Sequence, residues 1–212
     1  MENVPNDLSL PDTMPIMVLS GATHFPRSLM PLFIFEQRYR DMLQYALERD
    51  RMFGVAYAVP GSDPDSSPNP VRPVFTAGLV RACVKHDDGT SHLMLLGLKR
   101  VEIIGWDQIF PFRIATVVPL EDLSIDETEE QQLAYELIAL CHKTIETNND
   151  ALISGPMKKI LEVISDPIVV ADMIGHNFIS APEIRQDLLE IIPIKERLEF
   201  LIKQIKAGVS DL

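Results

Sequence analysis

The chain has 212 residues, 46% of them hydrophobic, enough for one substantial core or two smaller adjoining ones and too apolar for disorder throughout. Its 31 acidic against 19 basic side chains leave a formal charge of −12, and no run of basic residues interrupts that field. Nucleic acid is therefore not expected as the main partner, because phosphate binding needs clustered Lys and Arg to displace counterions.

The start, Met1-Glu2-Asn3-Val4, carries acid where a secretory signal carries positive charge, and no apolar run approaches the roughly 18 residues of a membrane span. A cytoplasmic setting with no membrane segment is expected. Residues 1–13 are polar and contain Pro5 and Pro11, the composition of a flexible tail. Residues 14–20 and 31–35 are short apolar runs bounded by Pro15, Gly21, Pro26 and Pro31, predicted as buried strands with an irregular connection. From Glu36 the period changes. Tyr39, Met42, Leu43, Ala46 and Leu47 form one stripe of an amphipathic helix expected to end near Asp50. Residues 53–59 read as a strand. The stretch Pro60 to Pro73 holds five prolines and reads as an insertion within one sheet, either a passive loop or a flap over a binding surface. The strand pattern resumes at Val74, and Asp88-Gly89 is the strongest hairpin signal in the chain. The return strand is predicted from Ser91 to about Ile104, with Gly97 marking a bulge or bend. A strand over 112–120 completes an all-β half, residues 14–121.

Residues 122–212 carry a helical period. Ser124-Ile125-Asp126-Glu127 is a capping-box sequence that opens a long helix, with Leu133, Leu137, Leu140, Cys141 and Ile145 inward and Asn148-Asn149-Asp150 at its end. A second helix is expected after Ser154-Gly155-Pro156, with Met157, Ile160, Leu161 and Ile164 inward. Asp166-Pro167 opens a third, a cap followed by proline where its missing N–H costs nothing. Ser180-Ala181-Pro182-Glu183 repeats the capping-box logic for a fourth. Pro193 opens the fifth, with Leu198, Leu201, Ile202 and Ile205 inward and a stop at Gly208.

Few residues are arranged for chemistry. His86 and His92 flank Asp87 and Asp88 and can converge across the hairpin, but the Asp-Gly turn accounts for the aspartates and no third ligand is legible, so no metal is assigned. His24, His142 and His176 are scattered. There is no G-x-S-x-G turn, and Ser154 with Lys158 and Lys159 is the nearest approach to an activated nucleophile. Cys83 and Cys141 lack metal or redox spacing and read as buried, reduced thiols. No catalytic residue and no cofactor is assigned. Residues 121–130 include six acidic side chains, which suit a helix amino terminus or a docking face for a basic partner. Phe75, Phe110 and Phe112 read as core rather than as a base-stacking platform.

Phe25-Pro26, then Pro31-Leu32-Phe33-Ile34-Phe35-Glu36-Gln37-Arg38-Tyr39, then Phe53-Gly54-Val55 occur in this order. Gly78, Asp88-Gly89 and Leu93-Met94-Leu95-Leu96-Gly97-Leu98-Lys99-Arg100 continue the pattern. Asp166-Pro167, Ala171-Asp172, Gln186, Leu188-Leu189-Glu190 and Arg197-Leu198 follow in the helical part. This series resembles the Lon protease amino-terminal domain family over residues 14 to about 206. The resemblance implies an α+β fold, a PUA-like twisted sheet or partial barrel with one helix followed by a helical bundle. It also implies a non-catalytic, stand-alone module that recognises unfolded or exposed hydrophobic protein segments, or a protease partner, in a groove between the two parts. In full-length members of the family this domain precedes an ATPase and a serine-lysine peptidase, and these 212 residues hold no G-x-x-x-x-G-K-[ST] loop.

The signature residues Phe25, Pro26, Pro31, Phe35, Glu36, Arg38, Tyr39, Phe53, Gly54, Gly97 and Arg100 are read as structural. Phe35 and Tyr39 are expected in the core, and Arg38 is expected to pair with a sheet carboxylate. Arg27 stands where the family commonly has glycine, and Ile192-Pro193 replaces a polar cap, so both turns are open to a different conformation. Two other readings stay open. One is an RNA-binding PUA-like module with a local basic face from Arg27, Arg72, Arg81 and Lys85; the other is a small-molecule- or metal-dependent enzyme.

Overall fold

The computed structural model describes residues 9–61, 71–147 and 151–210. Most of the Pro60 to Pro73 insertion, residues 1–8 of the expected tail and the expected helix end at Asn148-Asn149-Asp150 lie outside the described residues. The chain divides into two units, Met1–Leu120 and Glu121–Leu212.

The first unit runs β1 (Thr13–Leu19), β2 (Leu29–Ile34), α1 (Gln37–Leu47), β3 (Met52–Tyr57), β4 (Val74–Lys85), β5 (Ser91–Gln108) and β6 (Arg113–Pro119). The strands form one sheet in the order β2-β5-β4-β3-β1-β6, and β6 pairs with β5 as well as β1, which closes five of the six strands into a barrel. Among the described strands only β1 and β3 pair in parallel, and α1 lies in the connection between them, within the long crossover that parallel pairing needs. β1 reads as a continuous apolar run because both its faces are buried. Met14, Ile16 and Val18 join Phe75, Ala77 and Val101 in one core cluster, while Met17 turns the other way to Tyr39, Met42 and Leu43 of α1.

β5 is longer than predicted, reaching Gln108, because pairing with β6 continues past Ile103 to Gln108↔Ile114. Its first part, Ser91 to Leu96, lies between β2 and β4; its second part, from Val101, lies between β4 and β6. The bend between them falls at Gly97, where the β4 register shifts and Leu98 is left unpaired. A Cβ at Gly97 would stand 2.1 Å from the Phe25 carbonyl oxygen, so only glycine lets the Phe25-Pro26 turn approach. Arg27 and Gly97 fasten that turn, with the Arg27 N–H donating to Gly97 and the Gly97 N–H donating to Ser28. Arg27 holds φ at 63°, the left-handed conformation that glycine adopts without strain. Phe53 and Phe75 are buried, and Gly54 makes room for the Phe75 ring, which a Cβ would meet at 1.9 Å.

The second unit holds α2 (Glu127–Thr147), α3 (Ala151–Val163), α4 (Pro167–Phe178), α5 (Pro182–Glu190) and α6 (Ile194–Ser210). Capping departs from expectation in two places. At α2 the cap is Asp126 rather than Ser124: its carboxylate accepts from the Thr128 and Glu129 N–H groups, both at 3.0 Å. Glu130, not Glu127, reaches back to the Ile125 N–H and the Ser124 hydroxyl. A carboxylate at 126 reaches two free N–H groups of the first turn, which displaces the box. At α5 the cap position is Ala181, with no side-chain bond, and Pro182 supplies the preset φ instead. Asp166 caps α4 as predicted, accepting from Ile168 and Val169. α3 begins upstream of Ser154-Gly155-Pro156, and α6 continues through Gly208 to Ser210, so both local breaker signals are overridden.

The centre of this unit is a buried cation. Arg197 has no exposed surface; its guanidinium meets Asp122 at 2.7 Å and the equally buried Asp172 at 3.6 Å, and donates to the Ile191 and Ile192 carbonyls. Leu137, Cys141, Leu161, Leu188, Leu198 and Leu201 are buried in the same unit. Burial pushes the Cys141 thiol up to about 12, whereas Cys83 on β4 is only half-buried, contrary to its reading as a core thiol.

Candidate protein-binding face

The β2–β5–β4 part of the sheet has two unlike faces. Because residues paired across a ladder share a face, Met30 and Leu32 of β2, Leu93 and Leu95 of β5 and Val80 and Cys83 of β4 turn toward α1. The opposite face carries Leu29, Pro31 and Phe33 of β2, His92, Met94 and Leu96 of β5, and Ala82 and Val84 of β4. Leu29, Phe33 and Val84 are 50%, 49% and 60% exposed. Phe35, expected in the core, is 59% exposed. The run Leu32 to Phe35 reads as uniformly apolar, but alternation sends Phe33 outward, and Phe35 leaves the strand before α1 begins.

These outward rings touch one another in series. Phe35 stacks on Phe33 with centroids 5.8 Å apart, Phe33 stacks on His92 at 4.5 Å, and His86 meets His92 edge-on at 5.1 Å. The imidazoles converge as the hairpin spacing indicated, with His86 Nε2 and His92 Nδ1 2.8 Å apart. No third His, Cys, Asp or Glu joins them among the described residues. The hairpin itself is held by Gly89, whose φ is 82°. Asp88 accepts from both the N–H and the hydroxyl of Thr90, and these bonds hold its carboxyl below the usual range.

Glu36 and Arg38 stand at the start of α1 beside this face. Arg38 pairs with Glu36, Nε to Oε2 at 2.9 Å; two residues of separation at a helix entry suffice for the guanidinium to fold back. It also covers the Tyr39 ring at 4.8 Å. Tyr39 anchors α1 to β1, donating its hydroxyl to the Val18 carbonyl at 2.9 Å, and its burial raises its pKa. Arg100 is buried beside Thr76 in the β4–β5 ladder. The signature residues thus divide: Phe25, Pro26, Tyr39, Phe53, Gly54, Gly97 and Arg100 are interior, while Pro31 and Phe35 are on the surface.

On the α1 side of the same strands lies a cleft of about 310 Å³ lined by Arg40, Asp41, Gln44, Glu48, Cys83 and Lys85 among others. Leu43 and Leu47 also line it, so charged and apolar side chains share the walls of the cleft. Phe75 and Phe112 are core, as expected, but Phe110 is 85% exposed at the β5–β6 turn. Of the acidic stretch 121–130, Asp122, Asp126, Glu129 and Glu130 are engaged by Arg197, the α2 N–H groups, Lys195 and Ser124 respectively. No described helix is long and apolar enough to cross a membrane.

Known proteins resemble this chain along nearly its whole length. Lon protease from Desulfosudis oleivorans is 25% identical over 206 residues, 96% of this chain but 25% of that protein. Lon protease from Escherichia coli K12 is 25% identical over 199 residues, with 94% and 25% covered. The chain therefore spans about a quarter of the length of these relatives. Among solved structures, the N-terminal domain of Mycobacterium avium complex Lon protease matches with a TM-score of 0.74 at 15% identity, covering 92% of this chain and 98% of that one. A Lon N-terminal domain protein from Xanthomonas campestris matches with a TM-score of 0.65 at 18% identity, covering 90% and 97%. These two likenesses establish the mixed α+β fold. The model of the ATP-dependent protease La (Lon) substrate-binding domain matches residues 13–207, and the chain belongs to that family.

Proposed function

We propose that the chain is a non-catalytic protein-binding module that takes exposed apolar segments of unfolded proteins on the outward face of β2, β5 and β4. The observation that carries this reading is the series of exposed, mutually stacked rings of Phe35, Phe33 and His92, flanked by Leu29 and Val84. Soluble proteins seldom leave such a patch in water without a use for it, and aromatic side chains contribute much contact area at low entropic cost. Membership of a substrate-binding domain family points the same way.

The same stack is what an RNA-binding module would use for bases, so the test separates the two. A reduced, carboxymethylated client protein and its folded form are titrated against the fluorescently labelled chain, alongside a single-stranded oligonucleotide, at low and moderate salt. The expected result is binding of the unfolded form alone, kept at moderate salt and weakened about tenfold or more in a Phe33→Ser/Phe35→Ser variant. Equal binding of folded and unfolded client, or unchanged binding by the variant, sinks the reading. Salt-sensitive binding of the oligonucleotide alone transfers the face to nucleic acid.

A further inference from the structure

β2 offers an open edge as well as an apolar face. The Gly97 N–H donates to the Ser28 carbonyl, and the ladder continues Leu29↔Leu96, Met30↔Leu95 and onward. Hydrogen-bonded positions alternate along an antiparallel pair. Met30, Leu32 and Ile34 therefore turn their backbone groups to β5, and Leu29, Pro31 and Phe33 turn theirs away. Among the described residues no second strand pairs with β2, and its backbone makes no hydrogen bond outside that ladder. Pro31 falls on the outward register, where a missing N–H leaves the β5 ladder whole. The outer edge thus presents the N–H groups of Leu29 and Phe33 and the carbonyls of Leu29, Pro31 and Phe33.

We propose that the client segment adds to this edge as a further β-strand, its backbone bonded to Leu29 and Phe33 and its alternate side chains laid beside the Phe33–His92 stack. The proposal rests on the outward face being the client site. Its occupant is a proline-free, extended stretch of about five or six residues, matching β2 in length, apolar at every second position because only those side chains reach the face.

Two features favour such a segment over a second copy of this chain. The exposed parts of Leu29, Phe33, Phe35 and Val84 amount to about 400 Å² of apolar side chain, roughly half of what each partner buries in a stable folded interface. Antiparallel pairing of two β2 edges centred on Pro31 would also set proline against proline and remove a donor from each strand. A client strand meets only one such gap.

The test uses a soluble peptide of alternating valine and serine with lysines at both ends, and two forms N-methylated at either the odd or the even amides. Strand addition expects one methylated form to lose binding about tenfold or more while the other stays close to the parent, and it expects slowed hydrogen exchange at the Leu29 and Phe33 amides. If both methylated forms bind like the parent, strand addition falls while the apolar face stands. If neither the parent peptide nor an unfolded client binds, the functional reading falls with it. If those two amides are already protected in a concentration-dependent dimer, a second copy holds the edge and the proposal is overturned.

Discussion

Residues 1–120 hold 13 acidic and 11 basic side chains, and residues 121–212 hold 18 and 8, so nearly all the excess negative charge belongs to the helical unit. The sheet unit spends its surface on exposed aromatic rings, whereas the helical unit places a full cation, Arg197, in its interior. The excess negative charge and the stacked exposed rings thus belong to different parts of the chain. The two units are also expected to respond to different insults. One is organised by close backbone approaches at glycine, the other by an ion cluster and a buried thiol.

The contrast breaks most sharply at Arg197. Replacement by methionine leaves Asp172 buried without its cation, and a loss of about 3–5 kcal/mol is expected, read as a lowered urea midpoint of the helical circular dichroism signal. A wild-type midpoint would mean that Asp172 finds water or another partner.

Cys141 sharpens the same side of the comparison through pH. Its folded-state pKa is pushed from 9.0 to about 12. The unfolded thiol ionises first as pH rises, so the contribution is complete below pH 9 and is lost between there and pH 12, up to about 4 kcal/mol by linkage. Cys141→Ala should flatten that alkaline decline in stability, at a cost of about 1 kcal/mol at neutral pH. An unchanged slope would assign the decline to other groups.

In the sheet unit, Gly97→Ala drives a Cβ against the Phe25 carbonyl, a backbone atom that cannot rotate away. A loss of about 3 kcal/mol is expected, followed by the emission of Trp106, the single tryptophan. The smallest effect has the opposite sign. Arg27→Gly relieves a left-handed φ of 63° and should stabilise the protein by about 1 kcal/mol; a lowered melting temperature would show that the Arg27 side chain contributes more than its backbone costs.

Local signals were legible where their cause is local. The Asp88-Gly89 turn and the Asp166-Pro167 cap each depend on a few adjacent residues, and both formed as read. Phe35 was misread because an apolar run does not state which alternate side chains have a neighbour above them. Arg197 was matched to the family but not recognised as core, because its burial depends on Asp122, 75 residues away. Of the candidate face, the sequence placed His86 and His92 across one hairpin, but did not show that His92 joins Phe33 and Phe35 in one exposed stack.

What the sequence determined by itself was the kind of element along most of the described residues and a family pattern specific enough to imply the fold. What only the tertiary structure decided was adjacency: that β5 serves β2, β4 and β6 in turn, that the barrel closes on β6, and that among the described residues β2 keeps an open edge beside an uncovered face. Periodicity reports which side of an element is apolar. Whether that side is covered depends on strands brought together from distant positions, and no local pattern carries that information.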